Sequence, residues 1–177
     1  MILGKLDKFP DIALQLSEKK EEDEKLKRKN NLILFKLPES AESEPEEQIK
    51  ADCSAVKNIL EERVTISSGE VVNITRLGRK EDNKVRPLLI KFKNEEKKWE
   101  VLKSSKGLRL LTDNVSYPLF MSVDRTLKEQ QSRKILLKEL RERKNNGEEN
   151  LMIRNNSIIK KPSLFRLSAK NFWDQLF

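Results

Sequence analysis

The stretch T-R-L-G-R-K-E-D-N-K-V-R-P-L-L-I-K-F, residues 75–92, joins two apolar segments through a loop rich in arginine and lysine. Residues 71–77 and 86–92 predict β-strands, and the first of them ends at a glycine. Two strands joined by a basic loop are a recurrent way to present cations to a polyanion. Only Glu81 and Asp82 oppose the positive charge of this hairpin. Its five cations are candidate nucleic-acid-binding residues: Arg76, Arg79, Lys80, Lys84 and Arg86.

The segment before this hairpin predicts a strand followed by an amphipathic helix. Residues 31–37 form a short apolar run that Pro38 ends, which is typical of a strand. Ser43 and Glu46 match a capping box and predict the start of the helix, with Ser43 as N-cap. The apolar spacing places Cys53 in the core rather than at a reactive site. The predicted apolar face comprises Ile49, Cys53, Val56, Leu60 and Val64.

The segment after the hairpin predicts a second helix and further strand. Asn94 is a candidate N-cap for a helix that extends through Leu102. Residues 117–123 predict a fourth strand, with a short strand at 108–112 before it. The order β-α-β-β-α-β over residues 30–123 predicts an α+β fold of the ferredoxin-like, RRM-type class.

Two further segments flank this RRM-like domain. Residues 1–29 predict a charged helical leader, either a remnant of a coiled coil or a solvated helix. Residues 124–177 predict a C-terminal domain whose long helix starts at a second capping box, T-L-K-E from Thr126, with Asp124 as a competing cap. Asn155-Asn156 suits the turn of a small hairpin, and an apolar tail is expected to fold back onto the body. The expected apolar stripe of the long helix is Leu127, Ile135, Leu136 and Leu140.

The charge of the 177-residue chain is +8 and is unevenly distributed. Residues 38–70 carry −6, whereas residues 71–177 carry +12. Such asymmetry predicts a basic surface that binds nucleic acid or an anionic membrane. A lysine- and glutamate-rich soluble protein without such a role is the alternative interpretation.

The residue types that the sequence lacks exclude several chemistries. With no histidine and one cysteine, the chain cannot form an internal disulfide, the usual zinc sites or a histidine-dependent triad. Asp113 and Asp124 flank the fourth strand, but eleven residues of separation make a weak signal for a metal-dependent nuclease, and Asp124 is better explained as a helix cap. We therefore expect no catalytic residue, no metal ion and no cofactor. Without a transmembrane-length apolar run or a signal-peptide core, an intracellular protein is expected, in a cytoplasmic ribonucleoprotein or in the nucleus.

Stacking and charge are the two ways in which this chain could hold a nucleic acid. Phe35 is expected to face outward from the first strand and is the candidate for base stacking, whereas Pro87 and Leu89 occupy the third-strand stacking positions. Recognition of phosphates by charge is therefore better supported than stacking. On the long helix, the candidate phosphate-binding residues are Arg133, Lys134 and Arg141. The solvated side of an amphipathic helix explains these three equally well.

The order of the motifs resembles the first open-reading-frame protein of LINE-type (non-LTR) retrotransposons. The resemblance covers about residues 29–162 and rests on K-N-N-L-I-L-F-K-L-P-E at 29–39, an acidic helix, T-R-L-G at 75–78, R-P-L-L-I-K-F at 86–92 and R-T-L-K-E-Q-Q-S-R-K at 125–134. In that family, a coiled coil trimerises the chain. An atypical RRM and a C-terminal domain bind single-stranded RNA and act as a nucleic-acid chaperone.

The resemblance implies roles for particular residues. It places Arg76, Arg79 and Arg86 on the RNA-facing hairpin, and it matches Arg133 to a helix arginine in the RNA cleft. The leader holds at most a remnant of the family's coiled coil, so a homo-oligomer is only an option. We expect a non-enzymatic protein that binds single-stranded RNA or DNA with low sequence specificity and has no membrane partner. The alternative is a protein-interaction module with an RRM-like fold that does not bind RNA.

Overall fold

The computed structural model describes residues 9–64, 68–81, 84–105, 108 and 119–161. The chain divides into two compact units, Met1–Arg125 and Thr126–Phe177. The predicted division into a leader, an RRM-like domain and a C-terminal domain at residues 29 and 123 stays a prediction.

The first unit alternates helices and strands. Its elements are α1 Phe9–Arg28, β1 Asn31–Phe35, α2 Pro45–Asn58, β2 Val71–Arg76, β3 Leu88–Phe92, α3 Glu95–Ser104 and β4 Phe120–Val123. One turn of π-helix, Ile59–Arg63, continues α2, and a 3-10 turn, Ser68–Glu70, precedes β2. The third strand starts later than the sequence predicted, at Leu88. The fourth strand comprises Phe120–Val123, and residues 117–118 of its predicted range lie outside the described residues. The predicted strand at 108–112 lies outside the described residues except for Leu108.

The four strands of the first unit form one antiparallel sheet in the order β2-β3-β1-β4. β1 is central, with Leu32 opposite Ile90 of β3 on one side and opposite Val123 of β4 on the other. β2 forms one edge, where Arg76 pairs with Leu88 and a register irregularity follows Val71. The predicted α+β class is confirmed by this mixture of an antiparallel sheet and helices.

The core of the first unit lies on one face of the sheet. Side chains alternate along a strand, so Leu32 and Leu34 are fully buried, whereas Ile33 and Phe35 lie on the opposite face and are half-buried. α2 contacts β2, and α3 contacts β1, β3 and β4. The buried apolar residues of this core are Leu32, Leu34, Leu37, Val56, Ile59, Leu60, Val64, Leu88, Ile90, Phe92, Val101, Leu108 and Met121.

The start of α2 differs from the prediction. Glu44, not Ser43, is the N-cap, and it makes no side-chain capping hydrogen bond. Pro45 follows as the first helical residue, a position where proline's fixed φ is already helical and its missing N–H has no partner to lose. A proline there therefore sets the start of the helix one residue later than the Ser43–Glu46 match implied.

The predicted apolar face of α2 is only half correct. Val56, Leu60 and Val64 are buried, but Ile49 is 58% exposed and Cys53 is also exposed. In the first half of the helix, Ile49 lies beside an open groove along β2 rather than under the sheet. The expectation that Cys53 belongs to the core was therefore wrong.

Polar contacts join the end of α1 to the sheet. Arg28 Nη1 donates to Asp124 Oδ1 at 2.9 Å, and Asn31 Nδ2 donates to Asp124 Oδ2 at 3.0 Å. Both carboxylate oxygens are engaged in these contacts. The sequence had suggested that Asp124 is a helix cap, and that suggestion was wrong. Several apolar residues of the expected coiled-coil remnant are exposed in this unit: Ile12, Leu14, Leu16 and Leu26.

The second unit consists of α4 Leu127–Asn145, β5 Leu151–Arg154 and β6 Ser157–Lys160. Its capping box is confirmed, since Thr126 accepts from Glu129 N and Glu129 accepts from Thr126 N. The hairpin turn is confirmed too, because both asparagines at 155–156 have positive φ (48° and 57°), as a two-residue turn requires. Gly147, with φ 87°, follows Asn146, the C-cap of α4.

The apolar stripe of α4 was predicted correctly in only two of its four positions. Leu136 and Leu140 are half-buried, whereas Leu127 and Ile135 are 70% and 68% exposed. One helical face, which contacts β5 and β6, includes the half-buried residues of α4. Ile135 is rotated by about 100° from Leu136, which takes it off that face. The predicted apolar tail, from residue 165 onward, lies outside the described residues.

Among the described helices, none combines the length and the apolar composition that a membrane crossing requires.

Candidate nucleic-acid interface

Arg76 occupies an internal position at the end of β2. Its side chain is 7% exposed and forms a two-pronged ion pair with Asp52 of α2, at 2.9 Å from Nε and 2.6 Å from Nη2. The remaining guanidinium hydrogens reach three backbone carbonyl oxygens, those of Leu37, Pro38 and Arg86. The rigid fork of arginine satisfies all these acceptors at once. The side chain is thereby used within the fold.

Arg86 forms a second such pair with Glu39. Its Nε lies 3.1 Å from both carboxylate oxygens and its Nη2 lies 2.7 Å from Oε2, while Arg86 N donates to Oε1 at 2.9 Å. The guanidinium, whose hydrogen bonds stabilise the charged carboxylate, lowers the pKa of Glu39 from its ordinary 4.5 to about 2. Both side chains are only about one-fifth exposed.

These two pairs hold the segment after β1 against the β2–β3 connection. The sequence placed Arg76 and Arg86 among the RNA-facing cations, but each has a carboxylate partner within the first unit. A structural role therefore explains why arginine stands at both positions without any contact to nucleic acid. The partner carboxylates, Asp52 and Glu39, lie far from the two arginines in the sequence. No local sequence pattern could therefore have identified them as partners.

The exposed cations of the connection lie beyond these pairs. Arg79 and Lys80 follow Gly78, whose φ of 89° turns the chain away from β2. Both side chains are exposed, and neither has an ion pair within the part of the chain that the structure describes. Lys84 is exposed as well, 3.3 Å from Glu81, in a pair that solvent screens. Of the five predicted hairpin cations, these three are presented to solvent.

An aromatic pair lies on the sheet face opposite the core. Phe35 of β1 stacks on Phe120 of β4, with ring centroids 4.6 Å apart and planes 7° apart. The two residues are also register partners. The outward orientation of Phe35 is as predicted, whereas Phe120 was missed. Its signal was present in the sequence, since an outward phenylalanine at the start of the fourth strand pairs with the end of the first.

The basic residues of α4 divide between two sides of the helix. Arg133, Lys134 and Arg141 are all exposed. At about 100° per residue, Arg133 lies about 20° from the half-buried Leu140, whereas Lys134 and Arg141 lie on the solvent side. Arg133 therefore borders the face that contacts the hairpin, and the other two do not. Arg143, by contrast, is paired with Glu148 at 2.8 Å and with Glu139 at 3.6 Å.

The carboxylates considered for metal chemistry do not assemble in the described part of the chain. No group of three or more histidine, cysteine, aspartate or glutamate residues there is arranged to hold a metal ion. Asp124 is engaged with Arg28 and Asn31, and Asp113 lies outside the described residues.

The sequence was compared with models of protein families and with curated proteins, and neither comparison gives a match.

Proposed function

We propose that this chain binds single-stranded nucleic acid, RNA in preference, through phosphate contacts of low sequence specificity, without catalysing a reaction. The proposal follows the resemblance to the first open-reading-frame protein of LINE-type retrotransposons, including its nucleic-acid chaperone activity. Mobile charge contacts suit a chaperone because they let strands exchange. On this proposal, the protein is part of a ribonucleoprotein located in the cytoplasm or the nucleus.

The strand arrangement supports an RRM-type, ferredoxin-like assignment. The elements follow the order β-α-β-β-α-β, and the antiparallel sheet has β1 and β3 at its centre. In RRM domains the sheet face opposite the helices binds single strands. In this chain, that face carries Phe35, Phe120, Leu89 and Lys91.

The observation that carries the proposal is the register at one end of the sheet. Leu88, the first residue of β3, pairs with Leu34 of β1 on one side and with Arg76 of β2 on the other. Phe35, which follows Leu34, therefore lies at the end of the sheet where the β2–β3 connection begins. The aromatic pair and the exposed cations Arg79 and Lys80 therefore belong to the same sheet end. Binding of a single-stranded nucleic acid uses this combination, because its bases stack on aromatic rings and its phosphates are neutralised by cations.

The test is binding of a fluorescent single-stranded RNA to the full chain, measured by anisotropy across a salt series. Log affinity should fall linearly with log salt, by about 0.7 for each phosphate neutralised. Arg79→Ala with Lys80→Ala should weaken binding about tenfold at low salt and make the slope shallower by about 1.4.

The matched control is Lys19→Ala with Lys20→Ala, which removes the same charge from the exposed side of α1. This control should bind nearly as tightly as the parent. If both double variants lose affinity equally, only net charge matters and the sheet-end site is rejected. If the parent does not bind at low salt, the function itself is rejected.

A protein-interaction module is the second candidate. It is favoured by the internal pairing of Arg76 and Arg86, which leaves fewer cations on the hairpin than the sequence suggested.

A further inference from the structure

The exposed edge of β2 has backbone groups available for another strand. In an antiparallel pair, residues alternate between pairs that exchange backbone hydrogen bonds and pairs that do not. Leu77 N donates to Pro87 O at 2.8 Å, so Leu77 is bonded to the β3 side. By alternation, the N–H and C=O groups of Arg76 and Ile74 point away from β3, toward the edge.

A groove of about 350 Å³ runs along this edge, between β2 and α2. The strand contributes four consecutive residues, 73–76, and the helix contributes Gln48, Ile49 and Asp52. Ile49 is 58% exposed and supplies an apolar wall. Asn73 and Thr75 lie on the outer face of the sheet and are exposed. The groove thus combines an open strand edge with a neighbouring helix, the arrangement by which proteins add an extended peptide to a sheet.

The walls of this groove are already fixed in place. All four residues of the Arg76–Asp52 and Arg86–Glu39 pairs line the groove. The first pair joins the helix to the hairpin, and the second joins the loop after β1 to the hairpin. These pairs neutralise their own charges. A preformed groove loses less conformational entropy on binding than one that must be ordered by its ligand.

The border of the groove is acidic. The lining residue Gln48 donates its side-chain amide to Glu42 O at 2.7 Å and its backbone N–H to Glu44 O at 3.0 Å, and Glu46 follows the lining residue Pro45 in the chain. None of these three glutamate side chains has an ion pair among the residues that the structure describes, whereas Lys50, the basic residue of the segment 38–52, is paired with Glu47 at 2.7 Å. Such a border attracts cations and repels a phosphate backbone. A second copy of this chain would bring the same acidic border to the contact, so self-association through β2 is opposed by like charges.

We propose that the β2–α2 groove binds an extended, lysine-rich segment of a partner protein, which pairs with β2 as a fifth strand. Its apolar side chains contact Ile49, and its lysines face the acidic border. The groove shares Arg76 with the sheet end that we assign to nucleic acid, but Arg79, Lys80 and the aromatic pair do not line it. The partner's strand would also cover an edge that otherwise exposes unpaired backbone groups.

The experiment uses the full chain and three fluorescent octapeptides. The first alternates lysine with valine, the second replaces lysine by glutamate, and the third is the lysine peptide N-methylated at every second residue. The glutamate and N-methylated peptides should each bind at least about tenfold more weakly than the first. The lysine peptide should shift the amide resonances of Ile74 and Arg76.

Ile49→Lys tests the wall of the groove, and Ile135→Lys on α4, which is similarly exposed, is its control. Ile49→Lys should lower the affinity for the lysine peptide about tenfold, and Ile135→Lys should leave that affinity unchanged. Equal binding of the N-methylated peptide would reject strand pairing. Equal loss in both variants, or amide shifts at Arg79 and Lys80 instead of β2, would reject the groove. Because Arg79→Ala with Lys80→Ala leaves the groove intact, that variant should still bind the peptide even if nucleic-acid binding is lost.

Discussion

Arg76 shows how far a residue can be understood before the fold is known. The sequence indicated that it belongs to a basic hairpin, and it does lie at the end of β2. The ion pair with Asp52 joins residues 24 positions apart, and the pair with Glu39 joins Arg86 across 47. No local pattern identifies such partners, because they meet only when α2 and the loop after β1 are placed against the sheet.

Substitution of Arg76 therefore tests stability rather than binding. Arg76→Ala leaves Asp52, only 13% exposed, without its cation and should lower the free energy of unfolding by about 3 kcal/mol. Arg79→Ala, at an exposed position in the same connection, should change it by about 0.5 kcal/mol or less. Urea denaturation of both variants measures the contrast. Equal effects would contradict the internal role of Arg76.

The Glu39–Arg86 pair predicts an acid-dependent loss of stability. The pKa of Glu39 is lowered to about 2 in the folded state, so the pair's contribution is present above the unfolded pKa near 4.5 and is lost as pH falls toward 2. The contribution is at most about 3 kcal/mol. The free energy of unfolding of Glu39→Gln, measured from pH 6 to pH 2, should fall less steeply than that of the parent. In an Arg86→Gln background, the same substitution should have little further effect on the acid branch.

Two features with local sequence signals, the start of α3 and the β5–β6 turn, were predicted well. Asn94 accepts from Lys97 N as the N-cap of α3, and the turn at residues 155–156 has the φ values that its sequence indicated. Burial was harder to predict, because a periodic apolar face does not reveal what covers it. Ile49 follows the apolar spacing of its helix, yet it is 58% exposed.

The capping box of α4 gives a prediction at the scale of one element. Thr126→Ala removes the hydroxyl that accepts from Glu129 N at 3.2 Å, and it should destabilise the second unit by about 1 kcal/mol. Thr126→Ser keeps an oxygen at that place and should retain most of the stability. Thermal unfolding followed by circular dichroism compares the two. A serine variant as unstable as the alanine variant would assign the loss to the threonine methyl group instead.

At the scale of the whole molecule, the sequence predicted the α+β class, and the excess of positive charge and the acidic segment can be counted along the chain. It did not predict how charges are distributed after folding. Two of the five hairpin cations are used internally, and three face solvent. The sequence predicted Phe35 as the candidate for base stacking, whereas in the fold Phe35 is stacked on Phe120 of β4. Pairing of this kind depends on a register that only the assembled sheet defines.

The central position of β1 has a consequence for synthesis. This strand is the first of the sheet in the chain, yet its neighbours are β3 and β4, and the Asn31–Asp124 hydrogen bond spans 93 positions. At a ribosomal rate of 5 to 20 residues per second, β1 leaves the ribosome roughly 5 to 20 seconds before the last of its partners. Closing such long loops is slow, whereas the β5–β6 hairpin closes across two residues. During that interval β1 lacks one of its two neighbouring strands, so the sheet can be completed only after β4 has been made.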